Sequence, residues 1–205
     1  MTIALDVSRR GFLAGSAAAA TGLSLGFPVG EAAAQAATAA PEVNAWVVIR
    51  PDDTIVVRVA RSEMGQGTLT GLAQLVVEEL EGDWSKVTTE SITAAQNLAR
   101  NRVWGEMGTG GSRGIRTSHE YVRQGGAAAR TMLLQAAAEE WKVPVDELTV
   151  SKGVITHAGS KRSTTYGKVA ARAAKLAPPD PKSLKLRDPK EWKVAGQGLN
   201  RIDTR

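Results

Sequence analysis

AWVVIRPDDTIVVRVARSEMGQGTLTGLAQLVVEELE, residues 45–81, holds two hydrophobic periods in one stretch. The β-branched blocks Ala45 to Arg50 and Ile55 to Val59 flank Pro51-Asp52-Asp53-Thr54, the pattern of a hairpin closed by a Pro-Asp turn. From Leu69 the apolar residues Leu69, Leu72, Leu75, Val76 and Leu80 recur at helical spacing, which predicts a helix over 69–81 with acidic residues gathering at its end. Between hairpin and helix lies Glu63-Met64-Gly65-Gln66-Gly67-Thr68.

Outward from this stretch, Val87 to Thr93 alternates as a third strand. A longer helix is expected from about Thr117 to Trp141, capped by Thr117 or Ser118 and stopped before Pro144. Its middle, Gly125-Gly126-Ala127-Ala128-Ala129, lacks bulk, so a backbone or a bound group can approach closely. Two short strands, Leu148–Ser151 and Val154–His157, meet at Lys152-Gly153, and a last helix covers Tyr166 to Leu176. Strands and helices mix without regular βαβ alternation, which argues for an α+β fold, a mixed sheet with packed helices.

Composition narrows the chemistry. The chain has no cysteine, which removes disulfides, thiolate zinc and protein-ligated iron-sulfur clusters. His119 and His157 lie far apart in no metal-binding spacing and read as ordinary surface or helix residues, so no metal ligand is assigned. Residues 1–150 hold 13 Lys/Arg against 17 Asp/Glu, whereas residues 151–205 hold 13 against 4, so the net charge of +5 belongs to the tail. No aromatics interleave with those cations, and Pro178, Pro179, Pro181 and Pro189 give the stretch a solvated-linker character, so no nucleic-acid partner is expected.

At the N-terminus, Ser8-Arg9-Arg10-Gly11-Phe12-Leu13 precedes a small, weakly apolar stretch and then Ala-rich cleavage patterns. This is the form of a twin-arginine signal peptide, too short and too mild for a membrane span. Residues 1–39 are therefore expected as signal and connector, with the twin-arginine translocase as a partner and the periplasm as destination.

Two glycine loops carry the candidate chemistry. Gly65-Gln66-Gly67 opens a helix, where backbone N–H groups and the helix dipole make an anion site, and the Gln66 carboxamide can donate and accept. It lacks the lysine of a P-loop and the third glycine of a dinucleotide fingerprint, so alone it equally fits a tight turn. The second loop, Gly105 to Gly114, has five glycines in ten residues, with Thr109, Ser112 and Arg113 as donors, and again leads into a helix. Two such loops point to one extended ligand with several acceptors.

From Asn44 to about Leu176 the chain resembles the first part of the molybdopterin-binding large subunits of the xanthine dehydrogenase and aldehyde oxidase family, in the isoquinoline 1-oxidoreductase beta-subunit branch. The resemblance is carried by Glu63-Met64-Gly65-Gln66-Gly67, Thr109-Gly110-Gly111-Ser112, Gly126-Ala127-Ala128-Ala129-Arg130, Ala136 to Trp141 and Tyr166-Gly167. It implies a partial molybdopterin-binding domain over 40–176, with 177–205 as linker and the start of a following domain, to which Arg201-Ile202-Asp203 is similar. Gly65, Gln66 and Gly67 would then meet the pterin or its phosphate, and Thr109, Gly110, Gly111 and Ser112 would line the cofactor. Arg113 is assigned to pyrophosphate on its charge alone.

The same resemblance implies a molybdenum cytosine dinucleotide cofactor, the remainder of the large subunit, a small 2Fe-2S iron-sulfur subunit and a cytochrome c acceptor as partners. Substrates would be aldehydes or N-heteroaromatics. The family's glutamate base belongs near the end of the full subunit, so no catalytic residue is assigned in this chain; Glu106 sits in cofactor-proximal sequence. An exported non-catalytic anion-binding module and a structural interaction subunit remain the alternatives.

Overall fold

A computed structural model describes residues 40–204; the twin-arginine stretch and its connector lie outside the described residues. Strands β1 (Val47–Ile49) and β2 (Ile55–Val59) pair antiparallel across the expected turn. There the Asp53 N–H donates to the Arg50 carbonyl at 3.0 Å with Asp53 at φ 68°, and the Asp52 side chain accepts from Thr54 N–H at 3.0 Å. Helix α1 (Thr68–Leu80) then carries the chain over to β3 (Val87–Ser91), which lies parallel to β2. A parallel pair needs such a crossover. One β-α-β unit is thus present within a chain that has no regular βαβ alternation, and the mixed sheet runs β1-β2-β3.

Chain direction changes again at α2 (Ala94–Ala99), an element absent from the sequence reading. Its start is a capping box: the Thr93 hydroxyl accepts from Gln96 N–H at 3.2 Å and the Gln96 carboxamide accepts from Thr93 N–H at 2.8 Å. After the glycine-rich loop come a single turn, α3 (Arg113–Arg116), and the long α4 (His119–Trp141). Ser118 occupies the N-cap position of α4 without the capping bond expected of it; its hydroxyl is engaged by Arg61 and Tyr121 instead. The helix ends as Lys142 turns left-handed at φ 56° ahead of Pro144.

The bulk-free middle of α4 has a structural reason. A side chain at Gly126 would collide with the Val76 carbonyl of α1, and one at Gly125 would come within 2.6 Å of the Trp46 ring. The two helices cross at backbone distance, so the space belongs to a neighbouring helix rather than to a ligand. Ala129, Leu133, Ala136 and Ala137 of α4 face Leu72, Ala73, Val76 and Leu80 of α1 in one core that also takes in β1 and β2.

A second, antiparallel sheet is built from β4 (Leu148–Ser151), β5 (Val154–His157) and β6 (Arg162–Thr165). Strand β6 was not foreseen, because Arg-Ser-Thr-Thr has no apolar alternation and its side chains stand exposed or half-buried at the sheet edge. Helix α5 (Tyr166–Ala173) follows and ends a turn earlier than expected. Buried Tyr166 ties the sheet to α1 by donating its hydroxyl to the Leu80 carbonyl at 2.6 Å. His157, read as a surface or helix residue, is a buried strand residue whose ring nitrogens meet Ser160 Oγ at 2.7 Å and Glu147 Oε2 at 2.8 Å.

The stretch after α5 departs from a solvated linker. Glu79 of α1, fully buried, pairs with Arg123 of α4 at 2.6 Å and accepts from Arg187 N–H at 3.0 Å. Glu78 accepts from three successive N–H groups, Lys193 at 2.8 Å, Val194 at 2.6 Å and Ala195 at 3.1 Å. Arg187 also reaches Glu81 at 2.6 Å. The acidic end of α1 is therefore a docking strip for backbone that composition alone marks as loose.

Candidate functional site

The first glycine loop joins β2 to α1. Gly65 and Gly67 adopt φ 99° and 83°, values open to glycine at little cost. The turn brings the Glu63 carboxylate over the helix N-terminus, where Oε1 accepts from Gly65 N–H at 2.7 Å and Gly67 N–H at 2.9 Å, and Oε2 from Leu69 N–H at 3.0 Å. Burial pushes the Glu63 carboxyl up, but the three backbone donors outweigh it and hold it below the ordinary range. The expectation of free N–H groups for an external anion is narrowed here: the chain's own carboxylate takes three of them, those of Gly65, Gly67 and Leu69.

Gln66, though exposed, is likewise engaged within its own loop. Its Nε2 donates to the Ser62 carbonyl and the Thr68 hydroxyl, both at 2.9 Å, and its Oε1 accepts from Met64 N–H at 2.6 Å. Arg201 closes the loop from outside, donating to the Gly65 carbonyl at 2.8 Å while pairing with Glu63 at 3.3 Å and Asp203 at 2.5 Å. Thr70 continues the contact: its hydroxyl accepts from Ile202 N–H at 3.1 Å and donates to Asp203 at 3.3 Å.

The second loop lies against the first. Ser62 N–H donates to the Thr109 hydroxyl at 3.0 Å, and Gly114 sits on Thr68, where a side chain would come within 2.8 Å of the hydroxyl. Three guanidiniums hold loop carbonyls: Arg61 that of Gly108, Arg113 that of Gly110 at 3.1 Å, and Arg116 that of Gly111 at 3.5 Å. In a trans peptide the next N–H points opposite to the carbonyl. The N–H groups of Thr109, Gly111 and Ser112 are thereby aimed away from the guanidiniums, and among the described residues they have no acceptor. Gly111 and Ser112 are both left-handed, at φ 67° and 55°.

Of the expected residues, Thr109, Gly110, Gly111 and Ser112 form a bare backbone surface beside Gly65 and Gly67, while Arg113 is held within its own loop by Glu106 at 3.0 Å. Arg61, Glu63, Thr70 and Arg201 also shape the loops, though none was expected as a site residue. A charge at the end of the apolar run Ile-Val-Val-Arg-Val-Ala-Arg is the one local hint of Arg61.

This is an α+β scaffold that brings two glycine loops together. A family model described as the molybdopterin cofactor-binding domain matches residues 8–199, and the chain belongs to that family. It is 36% identical over 171 residues to the isoquinoline 1-oxidoreductase subunit beta of Brevundimonas diminuta, covering 80% of this chain and 22% of that protein. It is 31% identical over 202 residues to the membrane-bound aldehyde dehydrogenase [pyrroloquinoline-quinone] of Gluconacetobacter polyoxogenes, covering 93% and 25%. The chain thus spans about a quarter of the length of these relatives. Among solved structures, CO dehydrogenase from Oligotropha carboxidovorans (TM-score 0.45, 22% identity) and quinoline 2-oxidoreductase from Pseudomonas putida 86 (TM-score 0.41, 18% identity) each cover 61% of this chain, which covers 15% of each.

The residues present fit a pterin cofactor at the second loop. Side chains added at Gly65, Gly67, Gly110 or Gly111 would meet no protein atom within 4 Å, so these glycines are not required by internal packing. Gly110 also lacks a positive φ, so neither packing nor backbone conformation requires glycine there, and an outside group could approach it closely. At the first loop the Gly65, Gly67 and Leu69 N–H groups are not free for a ligand, since Glu63 has taken them.

Proposed function

We propose that this chain is the N-terminal part of a molybdenum hydroxylase large subunit, contributing one wall of a molybdopterin site for oxidation of aldehydes or N-heteroaromatics. The observation that carries the reading is the second glycine loop, where the Thr109, Gly111 and Ser112 N–H groups have no acceptor among the described residues and lie beside two glycines that nothing in the protein crowds. Those donors would hold oxygen or nitrogen acceptors of the cofactor, Gly65 and Gly67 would let it lie close, and the bound group would supply the redox centre. A cytosine dinucleotide form, a 2Fe-2S partner subunit and a cytochrome c acceptor complete the reading, with electrons leaving through the partner. Export by the twin-arginine pathway to the periplasm suits a protein that takes up its cofactor before translocation.

The substrate classes are consistent with the names of the two relatives, an isoquinoline oxidoreductase and an aldehyde dehydrogenase. The second name carries a quinone, so the deciding experiment must separate the cofactors. Protein purified from its native cells is assayed for molybdenum and for pterin and quinone released on denaturation. Molybdenum with pterin supports the proposal. Stoichiometric quinone, or a phosphate ligand without molybdenum, would replace it by a quinoprotein or by a non-catalytic binding module.

A further inference from the structure

Arg61 is a buried charge without a counter-ion among the described residues. It is 3% exposed, and its partners are all neutral: Ser118 Oγ at 3.0 Å, Thr117 Oγ1 at 2.9 Å, Tyr121 OH at 3.4 Å and the Gly108 carbonyl. Among the described residues no carboxylate lies within 4.0 Å of it. A guanidinium taken out of water costs free energy that hydroxyls and a carbonyl offset only in part, and buried charges are ordinarily balanced by an opposite one. The other guanidiniums on the loop do not supply that balance. Arg113 is met by Glu106, and Arg116 has no carboxylate partner among the described residues, so three positive charges surround the loop against one negative.

We infer that Arg61 is the positioning residue for a multiply charged oxyanion, of phosphate or pyrophosphate type, carried on the second glycine loop. The inference rests on reading that loop as cofactor-binding and goes beyond it in naming what orients the loop. Arg61 holds the Gly108 carbonyl, which turns the Thr109 N–H away from the guanidinium, and the Ser62 N–H to Thr109 hydroxyl bond keeps the neighbouring side chain in place. Its uncompensated charge adds a positive potential that little solvent screens. Arg61 touches no ligand in this arrangement; it acts through the peptide it orients.

The test titrates sodium pyrophosphate into the full 205-residue chain by calorimetry at low salt, with folding followed by circular dichroism. Wild type is expected to bind, Arg61→Met to bind at least about tenfold more weakly, and Arg61→Lys to fall between, since an ammonium keeps the charge but cannot span the same acceptors. If Arg61→Met does not fold, Arg61→Lys decides, with a loss of roughly threefold expected. Unchanged affinity in the folded variants, or no binding by wild type, overturns the inference. Molybdenum content of native-cell protein separates it from the reading beneath it. Wild type and Arg61→Met loading molybdenum equally sinks the role of Arg61 alone, whereas wild type releasing only inorganic phosphate and no pterin sinks the cofactor reading and leaves Arg61 serving a free anion.

Discussion

The Glu63 carboxylate lies 3.3 Å from the guanidinium of Arg201, 138 residues further along the chain, and the same carboxylate oxygen accepts the N–H groups of Gly65 and Gly67. The first glycine loop is therefore closed twice over, by a local acid and by a distant base. This favours a rigid wall over an open anion site.

Glu63→Gln should cost about 1–2 kcal/mol near neutral pH, from the loss of a charge-assisted cap and of the Arg201 pair. The sign of its pH dependence follows from the lowered carboxyl. The folded value lies below the ordinary 4.5, so the stabilisation is present above that value and is lost as pH falls through the folded one. Urea midpoints of wild type and variant, measured from pH 7 downward, should converge in acid. A gap that widens in acid would contradict the assignment.

Glu79→Ala should be far more damaging, on the order of 3–5 kcal/mol, because it strands the buried Arg123 guanidinium without its partner. It also removes the acceptor for Arg187 N–H, so limited proteolysis should cut within residues 177–190 faster than in wild type. Equal cleavage rates would show that this stretch is held by other contacts.

Gly126→Val and Gly111→Val separate fold from site. The first drives a side chain into the Val76 carbonyl and should destabilise by about 3 kcal/mol or more, since neither helix can retreat cheaply. The second meets no protein atom and is resisted by its φ of 67°, a cost of roughly 1–2 kcal/mol, yet it should abolish cofactor loading in the assembled protein. Melting temperature and molybdenum per subunit, measured together, give the ordering. Full molybdenum in folded Gly111→Val would remove that loop from the cofactor site.

Arg9→Lys with Arg10→Lys should block export, because ammonium groups cannot copy paired guanidinium geometry. Cell fractionation checks it, and normal periplasmic recovery of the double variant would end the targeting proposal.

The hairpin, α1 and the β4–β5 pair were legible because their apolar residues keep one clear period each. Strand β6 was illegible for the opposite reason: Arg162 to Thr165 pairs by backbone at an exposed edge, where side chains carry no signal. Helix α2 had a readable start in Thr93 and Gln96 that its six-residue length obscured. The glycine positions of both loops could be seen, but not that Glu63 would fold back onto the first, since a Glu a few residues before a helix is equally at home in solvent. The docking of residues 187–195 was hidden because the partners of Glu78 and Glu79 there are mostly backbone amides, which every sequence possesses.

Helix α1 is gripped near both ends by one continuous piece of chain, with residues 193–195 on Glu78 and residues 201–203 on Thr70 and the Glu63 loop. That piece works as a splint along a rod about 20 Å long. Fraying at either end is opposed by contacts at the other, so the N-terminal turn that shapes the glycine loop should share the opening free energy of the helix interior. In hydrogen exchange the amides of residues 69–80 and of 193–195 should then open as one cooperative unit, and the glycine loop should loosen only when the whole splint lifts.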